Sequence, residues 1–295
     1  MVQFFMFTPF VFSVLANVPH INTFGFIIYT VFRVFYGGMD LPKPSGPNSV
    51  GYTENFITDK GNFCAVFYPT EKPASNPVTA GFLEGIDRIS SLQNGAAAVE
   101  PSDPAPPGII LEAMFDVKMN VAVDARVKGD SIPVVVFSHG LMLSARSYAA
   151  LCCEMASYGV MVVALDHMDG SSGFTVNQHT LESVPYDCKM GHKEGREKQL
   201  KIRVEEVESV ISSLAKPDFV RKVFGPEATM SIDLSKVAVS GHSFGGITAL
   251  QVGLKNMKVK GVVSLDPTFS PVQKLNESGG FKIKKEHPPF LLINT

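Results

Sequence analysis

Residues 236–250 read KVAVSGHSFGGITAL. A short β-branched run around Val237 and Val239 passes directly into Gly241-His242-Ser243-Phe244-Gly245, and a segment of helical character follows. This is G-x-S-x-G at a strand-to-helix turn, the setting that lifts a serine above the end of a sheet. Such a sharp turn demands small residues, because Gly241 and Gly245 must let backbone approach backbone. Ser243 then stands beside the first amides of the next helix, whose positive end favours a developing negative charge. In a chain with 25 Gly the motif alone arises easily by chance. The strand before it and the helix after it make Ser243 the candidate nucleophile.

Working outward, the runs IPVVVFS (132–138), VMVVALD (160–166), VKGVVSLD (259–266) and PFLLIN (289–294) are short, continuous and rich in β-branched residues, as strands buried on both faces are. FCAVFYP (63–69) is also strand-like. Helical patterns separate the later runs at 145–159, at 194–216 and after Ser243. Alternation of this kind predicts an α/β fold with a mostly parallel central sheet and flanking helices. In the 194–216 helix, Leu200, Val204, Val207, Val210, Ile211 and Leu214 recur at helical spacing, and the Arg, Lys and Glu between them are expected to form a solvated face. Residues 37–51, dense in Gly and Pro, read as a connector, with the globular part starting near residue 50. Residues 70–108 read as a long surface loop holding a short helix near GFLEGIDRISSL.

Catalysis by a serine hydroxyl needs donors for the oxyanion. The amide after the nucleophile, Phe244, is one candidate. Ser138-His139-Gly140-Leu141, at the end of the 132–138 strand, offers the Leu141 N–H as the second, with His139 expected to order the loop. Asp266 ends the strand after the elbow helix, 23 residues beyond Ser243, where an acid partner belongs, since catalytic groups gather at the carboxyl ends of parallel strands. Its alternative is a turn carboxylate before Pro267. Asp166 and Asp169 lie at the same edge and are expected to shape the pocket wall.

Composition narrows the classes. A formal charge of −2, from 26 basic and 28 acidic residues, gives no footprint for nucleic acid. Cys64, Cys152, Cys153 and Cys188 show no zinc spacing, which excludes a metal-built fold, and the adjacent Cys152 and Cys153 are expected as buried thiols; no metal or other cofactor is expected. Residues 1–32 carry no Asp, Glu, Lys or Arg, and 9 of the 22 Phe precede residue 36. The apolar segment 1–36 is expected to act as a signal, an anchor or an interfacial element, with plain core packing as a further alternative, and the protein is accordingly expected to be secreted or membrane-associated.

PSGPNSVGYTEN, FYPTE, VVFSHGL, LDHMDGSSGFT, SGHSFGG and LDPTFSP occur in this order across residues 42–295, and together they resemble the platelet-activating-factor acetylhydrolase family of α/β-hydrolases. The resemblance implies a calcium-independent serine esterase that removes acetyl or short or oxidised sn-2 acyl groups from phospholipids. It also implies Ser243 as nucleophile, Asp266 as acid, Leu141 and Phe244 as oxyanion donors, and a membrane or lipoprotein surface as partner. The family's catalytic His follows the strand that here reads PFLLIN, and no His of this chain matches it. His287 precedes that strand, roughly 20 Å from the catalytic edge at about 3.3 Å per residue. His139, His167, His179, His192 and His242 are expected to be structural. The domain at 37–295 is therefore expected to be an α/β-hydrolase domain lacking its C-terminal part. Two other readings stand beside this one: a generic carboxylesterase or lipase on the same fold, and a catalytically impaired lipid-binding form.

Overall fold

The computed structural model describes residues 40–74, 78–79, 117–187, 193–269, 272 and 284–294. Its strands are β1 (Ser49–Ile57), β2 (Phe63–Thr70), β3 (Val78–Thr79), β4 (Lys118–Met119), β5 (Ala122–Val123), β6 (Ser131–Ser138), β7 (Met161–Leu165), β8 (Phe174–Val176), β9 (Ser183–Pro185), β10 (Ser231–His242), β11 (Gly261–Leu265) and β12 (Phe290–Ile293). Its helices are α1 (Ala149–Ser157), entered through a 3-10 turn at Ala145–Tyr148, α2 (Lys193–Leu214), α3 (Phe219–Phe224) and α4 (Phe244–Lys255).

Eight strands form one sheet in the order β12-β11-β10-β6-β7-β2-β1-β5. From β12 to β7 every pairing is parallel, whereas β2 runs antiparallel to both β7 and β1. Side chains alternate between two cores, as the two-residue strand period requires. Met161, Val163 and Leu165 of β7 join Ile132, Val134 and Val136 of β6 in the larger core, under α2, α3 and α4. Val162, Ala164 and Phe137 point the other way, into the core covered by α1. α2 lays Leu200, Val204, Val207, Ile211 and Leu214 onto the larger core, and α4 adds Phe244, Ile247, Leu250 and Val252. Full burial of each such side chain is worth about 1.5–3 kcal/mol.

The architecture is the expected α/β sheet with flanking helices, with three differences. The connector read at 37–51 runs into β1, whose Gly51 and Asn55 weaken a strand signal that pairing with β2 supplies instead. Gly51 is required there, since a Cβ would stand 2.2 Å from the Tyr68 ring. β12, expected to be buried on both faces, pairs only with β11 among the described residues, and Leu291, Leu292 and Ile293 are exposed. On α2, several charged residues are buried, as described below. Cys64, Cys152 and Cys153 are buried free thiols, as expected for the adjacent pair. The apolar segment 1–36 and Cys188 lie outside the described residues, as does most of the 70–108 loop, of which β3, paired with β4, is a described part.

Candidate active site

Strand register brings the predicted residues to one edge. Gly241 pairs with Ser138, Ser138 with Leu165, His242 with Leu265, and Leu265 with Ile293. Five neighbouring strands therefore end at one level, and Ser243, Asp266, the loop from His139 to Met142 and the turn from Asp166 to Asp169 leave that level side by side. In open parallel sheets this carboxyl edge is where ligands bind.

Ser243 has φ +54 and ψ −115, a conformation that costs an L-residue about 1–3 kcal/mol and persists only where its surroundings enforce it. The enforcement is visible. The Ser243 N–H donates to Leu265 O at 2.8 Å, and its carbonyl accepts from Gly246 N at 3.0 Å and Thr268 N at 3.1 Å. The loop carrying Asp266 thus grips the elbow at both ends. The glycines answer the steric demand read from the sequence. A Cβ on Gly245 would lie 1.9 Å from Ser138 O, and one on Gly241 would lie 2.3 Å from Gly245 O. Asp266, half-buried with φ +41, donates its N–H to Ile293 O at 2.7 Å.

Across the elbow, the loop after β6 turns at Met142, with φ +61 and its N–H on Ser171 O at 2.8 Å. His139 is fully buried and orders this loop. Its Nδ1 bonds Gly140 O at 2.7 Å, and its Nε2 accepts the His167 N–H at 3.2 Å, which assigns the ring proton to Nδ1. The Gly140 N–H donates to the Tyr148 hydroxyl at 3.1 Å. Phe244 opens α4, so its N–H has no intrahelical acceptor, and the Leu141 N–H has no partner among the described residues. Leu141 and Phe244 therefore sit on the two segments that flank Ser243.

Beneath this edge lies a buried polar network that corrects the reading of α2's charges as a solvated face at Arg196, Arg203 and Glu206, while Glu194, Lys198, Lys201 and Glu205 are exposed as expected. Arg196, Gln199, Arg203 and Glu206 are all buried. Arg203 pairs with Asp169 Oδ2 at 3.2 Å, donates to Ser171 Oγ at 2.6 Å and to His139 O at 2.6 Å, and stacks 4.4 Å from the Phe244 ring centroid. Glu206 meets His167 Nδ1 at 2.7 Å and accepts the Met168 N–H at 3.0 Å, while His167 Nε2 bonds Ser138 Oγ at 2.7 Å. Burial raises the Glu206 carboxyl to about 7 and pushes the His167 imidazole well below its ordinary value, so both are driven towards their uncharged forms. Spacings of 3, 4 and 3 along α2 place these four polar residues on one stripe, and that periodicity was the available signal.

The remaining carboxylates and histidines have local work. Asp166 accepts the Ala145 N–H at 2.6 Å, which anchors the 3-10 turn. His179 Nε2 bonds Thr58 O at 3.0 Å, and His242 Nδ1 lies 2.7 Å from the Tyr148 hydroxyl. His287 precedes β12, at the end opposite Asp266, and accepts the Lys284 N–H. His192 lies outside the described residues. Among the described residues no three His, Cys, Asp or Glu cluster as metal ligands.

Comparison with known proteins agrees with this architecture. The family described as "Platelet-activating factor acetylhydrolase, isoform II" matches residues 34–295. Proteins named platelet-activating factor acetylhydrolase are similar to this chain: that of Cavia porcellus is 28% identical over 80% of this chain and 57% of its own length. That of Gallus gallus is 26% identical over 80% and 62%. The chain thus spans somewhat more than half the length of these relatives. The solved structure of a ferulic acid esterase from Streptomyces cinnamoneus superposes with a TM-score of 0.57 at 18% identity, covering 87% of this chain and 68% of that one. The shared fold is that of the α/β-hydrolases.

Proposed function

The chain belongs to the platelet-activating factor acetylhydrolase, isoform II, family, and from that premise we propose that it is a serine ester hydrolase acting on the sn-2 acetyl or short or oxidised acyl group of phospholipids. The observation that carries the reading is Ser243, held at φ +54 between the Leu141 loop and the Asp266 loop at the carboxyl edge of the sheet.

In this reading the Ser243 Oγ attacks the sn-2 carbonyl carbon and its proton passes to a histidine base oriented by Asp266. That histidine is not among the described residues. The carbonyl electron pair moves onto oxygen, where the Leu141 and Phe244 amides hold the negative charge. Collapse of the tetrahedral intermediate breaks the bond to the glycerol oxygen, which takes the proton from the base and leaves as the lysophospholipid. Water, deprotonated by the same base, then releases the acid from Ser243. The partner implied is a phospholipid surface.

The test is labelling of the full-length protein with a fluorophosphonate. Labelling is expected in the wild type and lost in Ser243→Ala, and persistent labelling of the variant sinks the assignment. Substrate class is decided separately. Hydrolysis of a short sn-2 acyl phospholipid well above that of a long-chain triglyceride is expected, and the reverse order assigns a general lipase instead.

A further inference from the structure

The two proposed oxyanion donors belong to different segments. Leu141 follows β6 and Phe244 follows β10, and the ladder between these strands ends at the Ser138–Gly241 pair. Beyond that pair no β-ladder fixes the gap that a developing oxyanion must fit. Misplacing a donor by about 1 Å can cost two orders of magnitude in rate, so some other device must hold the gap.

Two side chains span it. The Tyr148 hydroxyl, from the 3-10 turn before α1, accepts the Gly140 N–H at 3.1 Å and lies 2.7 Å from His242 Nδ1. One oxygen atom thus touches the residue before Leu141 and the residue before Ser243. From the opposite side Arg203 of α2 donates to His139 O at 2.6 Å and lays its guanidinium over the Phe244 ring at 4.4 Å. It too contacts both segments. We propose that Tyr148 and Arg203 are positioning residues that set the spacing between the Leu141 and Phe244 amides. This inference rests on the esterase reading above.

The local chemistry suits both roles. Burial pushes the Tyr148 phenol up to about 12, so the hydroxyl keeps its proton while it accepts from Gly140 N at 3.1 Å and meets His242 Nδ1 at 2.7 Å. Its ring packs on Phe137, with centroids 4.8 Å apart, so removing only the hydroxyl leaves the packing intact. Arg203 is fully buried and neutralised by Asp169 at 3.2 Å, and its flat fork supplies both the edge donors and the stacking face. A lysine would keep the charge and lose the fork.

The experiment uses the full-length protein and compares wild type, Tyr148→Phe, Arg203→Lys and the double variant. The readouts are steady-state hydrolysis of a soluble p-nitrophenyl acetate probe, fluorophosphonate labelling and thermal denaturation. Tyr148→Phe is expected to lower kcat about 10- to 100-fold with KM changed less than about 3-fold, and to lower the midpoint of denaturation by only a few degrees, from leaving the Gly140 N–H without its partner. Arg203→Lys is expected to lower kcat similarly, and the double variant to lose less than the product of the two, because both act on one gap. Unchanged kcat in Tyr148→Phe, or a change confined to KM, overturns the proposal. If Arg203→Lys fails to fold, Tyr148→Phe decides alone. An unlabelled, inactive wild type overturns the esterase reading, and the positioning proposal with it.

Discussion

At the scale of single residues, the elbow is dictated by contacts a sequence can announce. Gly241 and Gly245 were legible because the turn they serve has one steric solution, and both glycines point hydrogens at carbonyls with no room for a methyl group. The consequence is measurable. Gly245→Ala must push the end of β6 away, since its Cβ would meet Ser138 O at 1.9 Å, and it is expected to cost more than about 3 kcal/mol in urea denaturation. Gly261→Ala is the control, because its Cβ meets only the Ala238 methyl, at 3.9 Å, so a change under about 1 kcal/mol is expected. Equal effects at the two sites would show that the elbow tolerates a side chain and that its strain is not sterically enforced. Ser243, Asp266, Leu141 and Phe244 shared this legibility, each being tied to a strand end readable from local pattern. Arg203 did not, for its reach to His139 crosses 64 residues of chain.

At the scale of elements, α2 shows why. Its apolar spacing was plain, but charge alone does not reveal whether a polar stripe faces water or a buried edge. Burial of Glu206 beside His167 has a pH signature. The folded state holds the Glu206 proton up to about pH 7, whereas a carboxyl at its ordinary 4.5 loses it earlier on unfolding. Stability from this group is therefore complete below about pH 4.5 and is lost as pH rises to about 7. Glu206→Gln keeps a neutral group able to accept the Met168 N–H and donate to His167 Nδ1. The wild type is expected to lose stability relative to this variant between pH 5 and pH 7, by at most about 3 kcal/mol, with a plateau above. His167, shifted downward, acts oppositely as pH falls below its ordinary 6.5, but it is present in both proteins and cancels to first order in the comparison. Urea midpoints at pH 5, 6, 7 and 8 read the difference directly. A pH-independent difference would mean that Glu206 titrates as an ordinary surface carboxylate.

At the scale of the whole molecule, the reaction proposed for the carboxyl edge needs a lipid partner, and the charge balance constrains how that partner is met. With 26 basic and 28 acidic residues, the chain lacks the cationic excess that draws proteins to anionic membranes. Residues 1–32, without a single charged side chain, carry 8 of the 22 Phe. No helix among the described residues is long and apolar enough to cross a bilayer. Any attraction to a phospholipid surface should therefore come from apolar burial, worth about 1.5–3 kcal/mol for each inserted Phe, and not from phosphate contacts. Apolar burial is insensitive to screening, whereas pairing with anionic headgroups weakens once the Debye length falls to a few ångströms. Partition of the full-length protein into phosphatidylcholine vesicles is accordingly expected to be unchanged between about 0.05 and 0.5 M salt, and to gain little when anionic lipid is added. A tenfold loss of binding over that salt range would assign the encounter to a local basic patch that the overall charge conceals. Absence of binding at either salt would overturn the phospholipid surface as the proposed partner.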